Sequence, residues 1–376
     1  MHSTEDVNER KVKDFVLKRF ERHFQLPVGN SDYPKSAYLA VLVLTAMAHR
    51  FVDGFAETMR RTWLLTVPSG DTIRRRLNRM PARDVKRQML EINNDVLSKA
   101  RRMRMFTHPV TCAIDCNDRE YYGKKVSKLV VGGKHKNGTS WFYRIATLCV
   151  VENGMRFEIA ATEYSAFSNL PKVVRRLLYE SSKYVRIRHL LMDRGFSTVE
   201  IRHMLTGMGV SYLMPVKTDD RIEREVNATH GLRFRHIEWT TAYRRITDTT
   251  TLIIIDSSEV VPKKSKSGSK SGSEQIFWLY VTNMPVTDGN IVDLCRYYDA
   301  RWGIETGYRI DDHEFTGMTT SHSDSIRIFY LLLSVILRNI WTLLKAVQTE
   351  KGTSGMRAYE FAEELKKEVF TAYGAS

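Results

Sequence analysis

The chain has 376 residues, 43% of them hydrophobic and 27% charged, a globular mix that excludes collagen-like, mucin-like and wholly disordered chains. Its 58 Lys and Arg against 43 Asp and Glu leave +15, which points to a polyanionic partner because each neutralised phosphate releases condensed counterions. Four cysteines are too few to staple a chain of this size, and no Cys or His pair follows Cys112 and Cys116 at zinc-finger spacing, so all four read as interior thiols.

Residues 1–108 hold 21 basic and 12 acidic side chains, +9 of the total. The polar opening Met1-His-Ser-Thr-Glu-Asp lacks the apolar core of a signal peptide. The most apolar run, the ten residues Ile328–Leu337, falls short of a bilayer ~30 Å thick, so the expectation is a soluble, intracellular protein with no membrane partner. Apolar residues at helical spacing from Tyr38 to Ala48 predict a buried helix, with a second one following up to residue 66. Pro68-Ser69-Gly70-Asp71 breaks that pattern, and Asp71–Arg79 restarts it with Ser69 or Asp71 as N-cap. A turn feeding a short Arg-rich helix resembles a helix-turn-helix, with Arg74 and Arg75 aimed at DNA. The plain alternative is a helical hairpin with a solvated basic face.

From residue 109 the period changes. Pro109–Ile114 reads as a short apolar strand ending on Asp115, and Lys128–Val131 and Ser140–Val151 as a strand pair joined through Asn137-Gly138. Met155–Thr162 alternates as a strand, and Leu170–Tyr184 is helical with Pro171 early in it. Val185–Met192 is a strand ending on Asp193, Ser197–Met208 a helix closed by Gly209, and Ser211–Lys217 a further strand. The order β-β-β-α-β-α-β predicts an α/β fold, a mixed sheet with helices on its faces. The Gly132–Gly138 segment resembles a phosphate loop in composition only, since no Gly-Lys-Ser/Thr follows and no helix starts there.

Residues 218–290 are rich in Thr, Arg and Ile, with strand-like runs at Leu232–Trp239, Thr250–Asp256 and Gln275–Thr282. The Ser/Gly/Lys tract Lys263–Ser273 between them predicts a flexible loop in a β-rich insertion. Helix returns at Ile291–His313, at Asp324–Gln348 and at 355–372. The expected domains are an all-α basic unit at 1–108, an α/β unit from 109–217 and 291–350, the insertion 218–290 and a C-terminal helix in 351–376.

Three carboxylates stand out by position. Asp115 and Asp193 end strands, where open α/β sheets bind ligands, and Glu305 lies on the helix after the insertion. Hard divalent cations take carboxylate oxygens, and such a set suits two ions ~3.5–4 Å apart with a phosphodiester bridging them. At ~100° per residue, Tyr298, Arg301, Glu305 and Asp312 fall on one helix stripe about 60° wide. Asp118 is the competing first carboxylate, but the apolar Ile114 before Asp115 favours the latter.

The spacing of Tyr298, Arg301 and Glu305 resembles the Tyr-Arg-Glu-Lys signature of DDE transposases of the insertion-sequence-4 branch. Asp193-Arg-Gly195-Phe196 resembles the second-Asp motif of that branch, and Ala113-Ile114-Asp115 with Tyr121-Tyr122-Gly123 its first-Asp region. The separations, 78 residues from Asp115 to Asp193 and 112 from Asp193 to Glu305, resemble the family's, with its β-strand insertion in the longer gap. The resemblance covers about 109–345.

It implies an RNase H-like fold and a transposase that cleaves and joins DNA at the ends of an insertion sequence. Asp115, Asp193 and Glu305 would bind two Mg²⁺ ions, with Mn²⁺ as a substitute, while Tyr298 and Arg301 would contact phosphates near the transposon end. Lys217, at the end of the last strand, is a further candidate to reach DNA, with an ordinary surface lysine the preferred reading. The partners implied are double-stranded DNA and a second copy in a synaptic homodimer, in the cytoplasm at the nucleoid. A metal-dependent nuclease of the same fold and a decayed DNA-binding remnant are the alternatives. The chain departs from the signature at its last position, where Asp312 replaces Lys seven residues after Glu305. Arg309, one turn after Glu305 on the same stripe, is the candidate substitute, with Asp312 paired to a nearby basic side chain.

Overall fold

Apolar residues at a period near 3.6 fold the first hundred residues into α1 (Val12–His23), α2 (Lys35–Met47), α3 (Val52–Glu57), α4 (Gly70–Asn78) and α5 (Ala82–Arg102). The computed structural model describes residues 12–125, 127–152, 155–165, 167–260, 275–350 and 355–374. Every residue of α2 from Ala37 to Met47 is buried, as an all-round apolar helix requires, and it forms the centre of this layer. A π turn, Thr58–Thr62, extends α3. Ser69 is the N-cap of α4, its hydroxyl accepting from Thr72 N at 3.3 Å. α5 buries Val85, Met89, Ile92 and Val96 on one stripe.

The sheet begins with β1 (Val110–Glu120), β2 (Val130–Lys136), β3 (Thr139–Val150) and β4 (Glu158–Glu163). β1 pairs antiparallel with β3 from Cys112↔Val150 to Glu120↔Phe142. It therefore continues to Glu120 rather than ending at Asp115. Its polar second half is held in register by β3, where Arg144 donates to both carboxylate oxygens of Asp118 at 2.6 and 2.7 Å. β2 returns to β3 through Asn137 and Gly138, at φ 50° and 81°, the positive values an Asn-Gly hairpin turn requires. α6 (Leu170–Ser181) is capped by Asn169 and leads to β5 (Ile187–Met192), which lies parallel to β1. α7 (Val199–Gly207) leads to β6 (Tyr212–Pro215), parallel to β5.

α8 (Asp220–Asn227), β7 (Phe234–Tyr243), β8 (Ile246–Asp256), α9 (Ser257–Val260) and β9 (Phe277–Thr282) follow. These strands do not form a separate body. β9 pairs with β6 through Leu213↔Thr282, so the sheet runs β2-β3-β1-β5-β6-β9-β8-β7, with β4 also on β3. A buried ion pair, Arg202 to Asp248 at 3.1 Å, fixes β8 to α7. The Lys263–Ser273 tract lies outside the described residues.

The stretch expected as one helix from Ile291 to His313 is three pieces: α10 (Ile291–Tyr297), a 3₁₀ turn at Tyr298–Arg301, and α11 (Trp302–Ile310) with a π turn at Asp311–Phe315. The pitch changes where Arg301 reaches back to the sheet and where Asp311 reaches the next helix. That helix, α12 (Asp324–Glu350), is long and apolar enough to cross a bilayer, yet it is largely buried against α5 and the sheet. α13 (Ala358–Tyr373) closes over the N-terminal helices. Thr66 N donates to Tyr373 O at 2.8 Å, and Trp63 and Phe370 stack with centroids 4.9 Å apart.

α3 and α4 touch backbone to backbone. A Cβ on Gly70 would sit 2.4 Å from Asp53 Cα and 2.6 Å from Val52 O, and backbone cannot rotate aside. Gly70→Ala should therefore cost ~1–3 kcal/mol, as overpacking does, and lower the melting temperature by a few degrees in a circular-dichroism melt. An unchanged melt would mean the two helices are not held at this distance.

Candidate active site

Strand alternation brings two carboxylates together. Ile114 pairs with Met192 in the parallel β1–β5 ladder, so Asp115 and Asp193 each lie one residue beyond that pair, on neighbouring strands. Ala113 and Leu191, two residues earlier, belong to the apolar cluster on the sheet face that α10 and α11 cover. A period of two puts Asp115 and Asp193 on that same face. Asp118 falls on the opposite face, engaged by Arg144.

α11 brings Glu305 to the pair. Ile304 and Tyr308 pack into the same cluster, and Tyr308 Oη lies 2.7 Å from Thr147 Oγ1, the β3 partner of Asp115. Glu305 is thereby left on the side of the helix near Asp115. Arg301 lies between them: Nη2 donates to Glu305 Oε1 at 2.6 Å and Nη1 to Asp115 Oδ2 at 3.3 Å. Its side chain is 9% exposed, and Nε has no acceptor.

Tyr298 is buried, and its hydroxyl donates to Met192 O at 3.0 Å, tying the end of β5 to the 3₁₀ turn. Both groups expected to touch phosphate are thus engaged inward. Asp115 is pushed up to about 6, chiefly by burial and further by the charges of Asp193 and Glu305, against the pull of the Cys116 N–H and Arg301. Asp193 is exposed and caps the short turn Arg194–Phe196.

Among the described residues no three His, Cys, Asp or Glu side chains converge at metal-ligand distance, so the three carboxylates share a face without sharing a point. The donor chemistry nevertheless suits a divalent cation. Three carboxylates face the same side of the sheet, Asp115 held at a raised pKa chiefly by burial, and a guanidinium supplies the positive charge between Asp115 and Glu305.

The remaining expected residues are scattered around this centre. Lys217 is exposed just past β6, on the strand next to Asp193. Arg309 is exposed at the end of α11, with no ion pair among the described residues. Asp312 lies in the π turn that follows α11 and pairs with Arg119 of β1. Arg74 and Arg75 are exposed on α4 and bind Asp71 of their own helix, with Arg74 also 3.8 Å from Asp53. Sequence reasoning missed Arg119, whose only signal was its position four residues along the strand from Asp115.

The sequence matches the transposase DDE domain family over residues 109–337. No curated protein matches it. A solved structure similar to it is a piggyBac transposase synaptic complex with hairpin DNA, at a TM-score of 0.58 and 14% identity, covering 98% of this chain and 78% of that one. At that identity the likeness concerns the fold, and with the mixed sheet and its flanking helices it makes the architecture RNase H-like.

Asp115 should leave a signature in metal-free stability curves. Its folded pKa of about 6 lies above the ordinary ~3.9 of an unfolded Asp, so the folded state holds the proton more tightly. The stability this group contributes is complete below about pH 4 and is lost as pH rises through about 6. Asp115→Asn should flatten that decline and stabilise the chain at pH 7.5 by at most ~2–3 kcal/mol, measured by denaturant unfolding in EDTA. An unchanged pH profile would place Asp115 in a more solvated setting than the one seen.

Proposed function

The chain belongs to the DDE transposase family, and from that membership we propose that it cuts DNA at the ends of a mobile element and joins them to a target, as a member of the branch that resembles insertion sequence 4. The observation that supports this reading is that Asp115 and Asp193 follow a paired position on neighbouring strands while Arg301 joins Asp115 to Glu305. Asp115, Asp193 and Glu305 would hold two Mg²⁺ ions. When bound, such ions supply activation of the attacking oxygen and neutralisation of the leaving one in an in-line displacement.

The chain's own groups do the rest. Tyr298 holds the end of β5 and so fixes where Asp193 begins. Arg301 neutralises Asp115 and Glu305 while no other cation does, and its planar fork is suited to a phosphate once those carboxylates have another partner. Arg309 supplies positive charge one turn after Glu305. Asp312, where the resembled signature has Lys, is held by Arg119, so its charge is answered within the protein. That pairing favours an intact site over a decayed one.

Double-stranded DNA is the proposed substrate, and a homodimer the proposed synaptic form. The basic N-terminal layer with Arg74 and Arg75 exposed supports DNA reading from one side. The hairpin region supports it from the other: residues 121–141 hold five lysines and no carboxylate, with Tyr122 and Trp141 67% and 37% exposed.

The deciding experiment incubates purified protein with the terminal inverted repeats flanking its gene and Mg²⁺. Single Ala variants of Asp115, Asp193 and Glu305 should abolish cleavage while DNA binding in a gel shift stays within about tenfold. Wild-type cleavage by any one of them would remove that residue from the site. In the same assay Arg309→Ala should be impaired by at least about tenfold, whereas Asp312→Asn should change cleavage by less than about threefold. A clear gain of cleavage in Asp312→Asn would instead mark this copy as weakened by its own carboxylate.

A further inference from the structure

α11 carries Glu305 but has little of its own to hold it in place. It is nine residues long, lies between a 3₁₀ and a π turn, and contains Gly303 and Gly307, residues that weaken a helix interior. Tyr308 anchors it toward the sheet through Thr147. A second anchor comes from α12.

Arg338, in the middle of α12, is 0% exposed. Its Nη1 donates to Asp311 Oδ2 at 3.2 Å, at the end of the Glu305 helix, and to Glu158 Oε1 at 3.3 Å on β4. Its Nη2 points at Cys149 Sγ, 3.6 Å away on β3. The flat guanidinium lies against α11 at Gly307, where an added Cβ would come within 2.1 Å of both Nη atoms. Gly307 is thus required by a neighbour's volume, not by its own backbone angles. The adjacent residue, Asn339, is also fully buried. It accepts from Glu158 N, and donates to Glu158 O and to Asn93 Oδ1 of α5, all at 2.8 Å.

Such a cluster is a poor source of stability, because an apolar packing of equal volume commonly does as well or better. A planar guanidinium whose Nη1 meets carboxylates from two different elements, with Nη2 turned to a third, supplies instead a defined rotation and height for the elements it joins. Two carboxyls and one guanidinium meet in a dry interior, where desolvation favours the protonated form of a carboxyl. Burial raises both carboxyls in that direction, and the mutual repulsion of the pair raises Asp311 further. The nearby pair Arg119 and Asp312 adds no net charge.

We propose that Arg338 is a positioning residue for the Glu305 helix: seated on Gly307 and held between Glu158 and Asp311, it sets the rotation at which Glu305 meets Asp115 and Asp193. The inference rests on the reading of Glu305 as an ion ligand.

The test uses the full chain and a readout independent of cleavage. Tb³⁺ luminescence, sensitised by the half-exposed Trp302 next to Arg301, reports ion binding without DNA. Thermal melts report folding, and Mg²⁺ titration of cleavage reports the loaded enzyme. Gly307→Ala and Arg338→Met should weaken Tb³⁺ binding and raise the Mg²⁺ half-saturation by about tenfold or more, the loss typical when support behind a ligand is removed. Glu158→Gln should stay within about threefold of wild type, since an amide replaces a carboxyl that can carry the proton. Arg338→Lys keeps the charge but loses the fork, and should fall with Arg338→Met; it keeps the proposal testable if the other two do not fold. Folded variants with lower melting points and wild-type Tb³⁺ and Mg²⁺ dependence would overturn the positioning role. Glu305→Ala binding Tb³⁺ as wild type does would overturn the reading of Glu305 instead, and the assigned role with it.

Discussion

Carboxylates crowded on one sheet face repel one another, and the structure settles that repulsion with a single guanidinium. Arg301 reaches Asp115 and Glu305 together, and this contact accounts for several features that otherwise look unrelated. Arg301 stands at the end of the 3₁₀ turn, just before α11 begins. Tyr298, one turn earlier, is drawn inward to Met192 O. Burial, with a smaller push from the neighbouring carboxylates, holds the proton of Asp115 to about pH 6.

Much of this was legible from the sequence, and for a physical reason. Hydrophobic alternation and helical periodicity are local signals, so β5, β6, α6, α7 and the Asn137-Gly138 turn fall close to where the pattern puts them. The two aspartates were found because apolar strands running into acidic residues are visible in one dimension. The end of β1 was misread because its second half is polar: Asn117, Asp118 and Arg119 look like a loop until β3 is known to pair with them. The long helix from Ile291 was misread because 3₁₀ and π turns leave no mark in apolar spacing.

The β-rich segment shows a different limit. Its strands were legible, but their destination was not, since pairing of β9 with β6 joins residues some seventy positions apart. Nor does sequence distinguish a buried arginine from an exposed one. Arg338 closes an apolar run and reads as its polar boundary, yet it is the largest fully buried side chain among the described residues. Gly307 carried a trace of this, a glycine in a helix with no turn to make.

The docking of α13 on the first helices has a consequence for synthesis. Val12 N donates to Glu368 Oε1 at 2.9 Å, and Leu65 bridges to Gly374, so the N-terminal layer is completed by a helix the ribosome makes after the entire catalytic sheet. Helices that close local contacts form early, whereas this contact spans almost the whole chain and must wait for its last partner. During translation the basic layer therefore exists with one side uncovered, Trp63 lacking its Phe370 neighbour. The order of manufacture thus sets the order of closure: the first helices are made long before the helix that covers them.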